Sequence, residues 1–431
     1  MAVWIVLGIL CAGAAVIDAF QTIILPRRPV GRWRLTRIYF LATWRPWRCL
    51  AQRTTDRRVR EQILAIYGPM SLLFLLTIWA VLLIVGFAFI LYGLHSPFFD
   101  SVSHANVLDH MRTDLYVSGT TLTTLGPGDV IPRSHTVRAL MILESGAGLG
   151  FVALVIGYLP VLYTAFSRRE VSIALLDARA GSPPTAAELL TRHGFDGGHI
   201  ALIELMAEWE RWCAELLESH ISYPVLCYYR SQHDNQSWLA SLTALLDACA
   251  LVIAGVEGVP ARQAQLTFAI ARHALVDLGH VFHIEKRTAQ IASGSGGESA
   301  TRLPPDQFDA LCGALAGTEV QLCAGRETMQ RLTKLRSLYE PQAQALSEFL
   351  LMPLPPWIAE QNTKAMWSTV NSLRRDAATE LAPARPASES QDGISAHASA
   401  GEGHDSRDEF GMHVSRRAAS FNLGDDEQHG I

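Results

Sequence analysis

Several signatures that would assign a familiar chemistry are missing from this sequence. It has no C-x-x-C pair and no G-x-G-x-x-G after a strand-like run, so neither a thiol metal site nor a dinucleotide-binding Rossmann module is visible. Strand alternation is absent along the chain, no internal repeat stands out, and no nucleophile is paired with a base in a way that suggests catalysis. No apolar stretch carries Arg at every third position, which argues against a voltage sensor. Charge is scarce, at 18% of residues against 49% hydrophobic. The seven Cys are an odd number, and none lies between His95 and His135, so reduced structural thiols are the expectation. The net charge of −5 says nothing about partners, because the signs are segregated along the chain.

What is abundant is apolar length, all of it before residue 170. Three stretches exceed the roughly 20 apolar residues that cross a bilayer as a helix. They are Ala2–Leu25, interrupted only by Asp18; Met70–Leu94, without charge; and Thr136–Phe166, charged only at Arg138 and Glu144. All three are expected to span a membrane. The first has no positive residue before its apolar core, so it reads as an uncleaved anchor and not as a signal peptide. Between Arg27 and Arg60 stand eleven Arg and one acid, Asp56; the loop from His95 to His135 holds two Arg and four Asp. The positive-inside bias puts the Arg-rich loop in the cytoplasm, the acidic loop and the N-terminus outside, and the long C-terminal part in the cytoplasm of a multi-pass protein of the plasma or inner membrane. Trp33, Trp44 and Trp47 interleave with the Arg residues. Pinned between two spans, that pattern suits a lipid headgroup layer better than nucleic acid, and no nucleic-acid partner is expected.

The implied fold class is an all-α membrane protein: three transmembrane helices with a re-entrant segment, then a helical cytoplasmic domain. The divisions are 1–25, an N-terminal span; 26–67, a basic cytoplasmic or interfacial loop; 68–169, a transmembrane domain; 170–382, the helical domain; and 383–431, a tail too poor in large apolar residues to pack. Thr185-x-x-Glu188 is a capping box after Gly181-Ser-Pro-Pro184. Further helices are expected over Gly198–His220, Ser237–Val256, Ala261–Ile291, Asp306–Leu338 and Trp357–Leu381, with a flexible joint near 294–305. The run Trp238–Val256 approaches the length of a span, but Asp247 near its middle favours a buried helix of the bundle.

The outer loop contains Asp114-Leu-Tyr-Val-Ser-Gly-Thr-Thr-Leu-Thr-Thr-Leu-Gly-Pro-Gly-Asp129 between two spans. Over residues 68–166 this arrangement resembles the potassium channel family of the single pore-loop, helix–pore–helix type, with an additional N-terminal span. In that family a short pore helix precedes a T-V-G-Y-G-type filter whose carbonyl oxygens replace the ion's hydration shell. The resemblance places the selectivity filter on Thr124, Leu125, Gly126, Pro127, Gly128 and Asp129, and the pore helix on Leu115, Tyr116, Ser118, Thr121 and Thr123. Gly126 and Gly128 suit the left-handed geometry that aims carbonyls at one axis. Asp129 would form an anionic ring at the mouth. One loop cannot enclose an ion, so a homotetramer is implied, with K+ as permeant ion, no other cofactor and no small-molecule substrate. The third span would line the pore, with Gly146, Gly148, Gly150, Gly157 and Pro160 as candidate gate or hinge positions; close packing of the glycines is the plainer reading.

The sequence also departs from the family. Pro127 replaces the aromatic residue between the filter glycines, Val117 stands where many members have a Trp that holds the filter Asp, and Thr120 where some have a Glu. The function expected is a cation channel subunit conducting potassium; the alternatives are a weakly selective cation channel, or a non-conducting membrane sensor or scaffold with a degenerate filter. No enzymatic activity is expected. His273, Asp277 and His280, with His283 nearby, have the i, i+4, i+7 spacing of weak metal ligands, although histidines on such helices are more often ordinary surface or core residues.

Overall fold

The computed structural model describes residues 1–25, 34–95, 98–100, 105–107, 111–233, 235–257, 259–294, 302–316, 318–322 and 325–359. Among them the chain is an all-α membrane protein of thirteen α-helices, with one three-stranded sheet of three-residue strands. Met1–Leu373 form one compact unit and Arg374–Ile431 another. The second unit, with the expected tail at 383–431, lies outside the described residues, as do most of the expected joint near 294–305, Trp33 and Cys323.

The first helix, α1 (Ala2–Ala19), ends in a π-helical turn over Phe20–Ile24. The loop expected after it contains α2 (Leu35–Arg53), an amphipathic helix that buries Tyr39, Trp44 and Ala51 and exposes Arg45 and Arg53. Its start is tied to α1. Asp18, only 4% exposed, accepts the backbone N–H of Thr36 at 3.1 Å, the Thr36 hydroxyl at 2.5 Å and the Trp79 indole N–H at 2.9 Å. Three donors on one carboxylate offset the cost of removing it from water, which explains an acid at the end of an apolar helix.

Asp56 caps α3 (Arg57–Gly93) by accepting from Arg58 N–H at 2.8 Å. α1 and α3 run antiparallel and touch backbone to backbone: a Cβ on Gly8 would meet the carbonyl oxygen of Gly86 at 2.4 Å. Such small-residue crossings are how helices pack where lipid supplies no hydrophobic drive. The indoles of α2 face inward. Trp44 donates to the carbonyl of Phe349 at 3.1 Å and Trp47 to that of Ile63 at 3.0 Å. The headgroup placement expected for these two rings is therefore corrected: each finds its acceptor and its packing surface inside the chain.

Beyond α3 come β1 (Phe98–Asp100), β2 (Ala105–Val107), α4 (Met111–Leu122), β3 (Val130–Pro132) and α5 (His135–Ala180). β1 pairs antiparallel with both β2 and β3, and Phe98, Val130, Val117 and Val137 share one apolar cluster beneath the sheet. α5 runs for 46 residues. At about 1.5 Å per residue it is roughly 69 Å long, more than twice the ~30 Å hydrocarbon core, so one end must stand clear of the membrane. The boundary expected at 169/170 falls inside this single helix.

The bundle comprises α6 (Ala186–Arg192), α7 (Gly198–Ser222), a 3-10 turn over Pro224–Tyr228, α8 (Trp238–Gly255), α9 (Ala261–Phe282), α10 (Glu285–Ala292), α11 (Pro305–Leu315), α12 (Arg326–Arg336) and α13 (Glu340–Leu350). Thr185 caps α6 as its capping box predicts, accepting from Glu188 N–H at 3.2 Å. Two of the long helices expected here are each divided in two. Ala261–Ile291 breaks where His283 turns left-handed (φ +53°), and Asp306–Leu338 ends its first half at Ala316, whose backbone is extended. Trp357, expected to open a helix, instead lies in irregular chain and is fully buried; residues 360–381 are outside the described set.

Four helices, α1, α3, α5 and α8, are long and apolar enough to cross a membrane. α8 differs from the others in its surroundings. Of its most apolar window 89% is buried by this chain, against 11% for α5. Asp247 at its centre is held by Arg302 at 2.6 Å and by the Tyr339 hydroxyl at 2.5 Å. A carboxylate so paired belongs to a protein interior, and α8 is the core helix of the bundle.

Candidate functional site

α4 is a twelve-residue helix between two much longer ones, and its faces divide sharply. Val117, Ser118, Thr121 and Leu122 are buried against α3 and α5, while Leu115, Tyr116 and Thr123 are exposed. Ser118 fixes the buried face, its hydroxyl lying within hydrogen-bond reach of the carbonyl of Ile84 at 2.9 Å and of Glu144 on α5. Glu144 is fully buried, and the sequence marked it only as an isolated charge in an apolar run. At the C-terminal end of α4, the carbonyl of Leu122 presses on Gly148, where a Cβ would stand 1.9 Å from that oxygen. Gly148 is thus a packing glycine. Gly146, Gly150 and Gly157 have open space around them, and the helix continues unbroken through Pro160.

The segment from Thr123 to Asp129 folds back over the end of α4. Thr124 N–H donates to Thr121 at 3.0 Å and Gly126 N–H to Thr120 at 3.0 Å. Thr124 (φ +60°) and Gly126 (φ +73°) are left-handed and Leu125 between them is not, so the backbone alternates in hand over three residues. Alternation of this kind turns successive carbonyls toward one side. The left-handed pair expected at Gly126 and Gly128 is corrected to Thr124 and Gly126. Leu125 stands 79% exposed.

Asp129 closes the segment. The Tyr116 hydroxyl donates to its Oδ1 at 2.9 Å. Val117, which stands where many family members have the Trp that holds this aspartate, belongs to the apolar cluster with Phe98 and Val130, and the neighbouring Tyr116 reaches Asp129 instead. Immediately afterwards β3 pairs with β1, Val130 opposite Asp100, which staples the end of the segment to the exit of α3. Arg133 covers the Phe99 ring at 4.7 Å. The sheet is not expected from the sequence, because three-residue strands are too short to show alternation.

At its far end α5 enters the bundle through Arg169, which is 4% exposed. Its guanidinium donates to the carbonyls of Leu226 at 2.9 Å and Tyr229 at 3.0 Å, pairs with Glu170 at 2.8 Å and meets His220 Nε2 at 3.1 Å. Burial first, and then the neighbouring guanidinium, hold the His220 imidazole well below its ordinary pKa. The residues with metal-ligand spacing do not converge. His273 pairs with Asp277 at 3.4 Å, whereas His280 turns to Glu285 at 3.0 Å beyond the helix end, and among the described residues no group of three potential ligands forms.

Residues 77–164 match the family model described as "Ion channel". This stretch is similar to ion-channel segments. It runs from the middle of α3 through the sheet, α4 and the turn at Thr124–Gly126 to just past Pro160, so the matched stretch contains the contacts described for α4, the turn and the sheet, and not those of Arg169, His273 or His280. An uncharacterized membrane protein of Bacillus subtilis (strain 168), YdjJ, is 24% identical over 253 residues, covering 59% of this chain and 70% of that protein. No solved structure matches.

Proposed function

We propose that the chain is one of four identical subunits of a cation channel that favours potassium, with Thr124–Asp129 as its filter and α5 as its pore-lining helix. The observation that carries this reading is the alternation of backbone hand at Thr124, Leu125 and Gly126, at the end of a short helix wedged between two membrane-length ones. Carbonyl oxygens so presented replace an ion's water only when several chains converge, which calls for copies around an axis. α5 supplies surface for them: Ile142, Leu149, Ile156 and Tyr163 are exposed in the single chain, beside the open glycines 146, 150 and 157. The Tyr116–Asp129 hydrogen bond and the β1–β3 pairing stiffen the outer end, offsetting the missing aromatic at Pro127. By charge bias the Arg-rich side of the membrane is cytoplasmic and the bundle is a regulatory or assembly module there.

The test is ion replacement across liposomes containing the full chain. Potassium flux with a reversal potential that follows the potassium gradient is expected, and Pro127→Tyr should sharpen it. Absence of flux from assembled tetramers would favour a non-conducting scaffold.

A further inference from the structure

A cavity of about 240 Å³ lies where the end of α1, the start of α2, α3 and α5 meet α7, α9 and the 3-10 turn. Part of its lining is apolar and belongs to membrane helices: Leu72 and Leu75 of α3 and Tyr158 of α5. Two arginines, Arg34 and Arg37, also line it. Asp277 is the one acid among the described lining residues, and His273 already faces it.

The two arginines are the decisive observation. Arg37 is half-buried and has no hydrogen bond or ion pair among the described residues. Arg34 spends one nitrogen on Thr22 at 3.1 Å and feels Asp18, yet its buried Nε has no partner. Burying unmatched guanidinium donors is costly unless an anion completes them. Much of the remaining lining is apolar and suits hydrocarbon, which reaches the cavity along the membrane helices that form it.

We propose that this cavity binds an anionic phospholipid, its phosphate against Arg37 and Arg34 and one acyl chain along Leu72, Leu75 and Tyr158. The inference rests on the orientation argued above, which sets this end of α1 in the anionic cytoplasmic leaflet, and not on conduction. Its occupant would touch α5 two residues before Pro160 and α9 of the bundle together, linking the pore-lining helix to the bundle through lipid.

The full chain in nanodiscs is labelled with phosphatidylglycerol carrying a photoactivatable diazirine on one acyl chain, and separately with the phosphatidylcholine analogue, and the crosslinked peptides are mapped. Labelling by phosphatidylglycerol within residues 34–41 and 72–75 is expected, exceeding that by phosphatidylcholine. Arg37→Gln, which breaks no internal contact, should lower the phosphatidylglycerol signal about ten-fold, the loss of one charge-assisted hydrogen bond or more. Leu41→Trp, on a half-exposed wall position, should block labelling by occupying the space. Equal labelling by the two lipids, no effect of Arg37→Gln, or suppression by millimolar inorganic phosphate alone would overturn the proposal; the last would mark a free-anion site. Because the readout is crosslinking, a chain that binds the lipid but passes no ions leaves this inference standing while the channel reading fails.

Discussion

Arg169 on α5 and His220 on α7 meet 3.1 Å apart in a fully buried contact, and only one of them can be charged. The guanidinium keeps its proton and its carbonyl acceptors on Leu226 and Tyr229, so the imidazole is neutral. The membrane helix is thereby bolted to the bundle by a cation that donates to two of the bundle's main-chain oxygens.

That neutrality fixes a pH dependence. Folded His220 titrates well below its ordinary value of 6.5, whereas the unfolded chain takes up a proton near that value. The unfolded state therefore binds more protons, and the stability is complete above about pH 6.5 and lost on acidification, by about 1.4 kcal/mol per pH unit until the folded pKa is reached. Thermal unfolding of the full chain in micelles between about pH 5 and 8 should show this slope, and His220→Gln should flatten it. An unchanged slope in the variant would place the pH sensitivity elsewhere.

Tyr116→Phe removes the hydroxyl that holds Asp129 and little else. One hydrogen bond of about 0.5–1.5 kcal/mol corresponds to as much as a ten-fold change in relative permeability. Sodium permeability, read from reversal potentials with potassium on one face and sodium on the other, should rise by up to that factor. A variant identical to wild type would detach Asp129 from ion discrimination.

Two glycines of one helix should respond differently. Gly148→Ala drives a methyl into the carbonyl of Leu122 and should destabilise by about 1–3 kcal/mol or more. Gly157→Ala meets nothing within the chain and removes a flexible residue from a helix, so it should be neutral or stabilise by up to about 1 kcal/mol. Melting temperatures of the two variants in the same detergent decide it.

Arg302→Met leaves Asp247 buried in α8 without its cation and should cost about 3–5 kcal/mol. Adding Asp247→Leu should recover most of that loss, since two apolar side chains need no partner. If the double variant is no better than the single, the pair contributes more than mutual neutralisation.

The membrane helices were legible because each depends on an apolar run longer than the bilayer is thick, a property that no tertiary contact needs to supply. Thr185 and Glu188 announced α6 for a similar reason, since a cap is a contact over three residues. What depended on distant partners was not legible. The Arg-rich stretch hid α2, whose helical stripe is completed by Phe349 and Tyr67 some way off in sequence, and the indoles of Trp44 and Trp47 turned from lipid to those partners. α4 and the turn after it stand between α3 and α5 in the order of the sequence, but the contacts of Tyr116, Ser118 and Glu144 arise between elements that a linear reading sets side by side without an angle.

α5 has a mechanical consequence as a single rod. From Gly148, where the carbonyl of Leu122 bears on it, to Arg169 is about 32 Å of helix. A tilt of about 10° around that bearing sweeps the far end through roughly 5–6 Å. Modest leverage on Arg169 therefore reaches the back of the Thr124–Gly126 turn as a shift of a fraction of an ångström, geared down through the same point that a methyl group at residue 148 would jam.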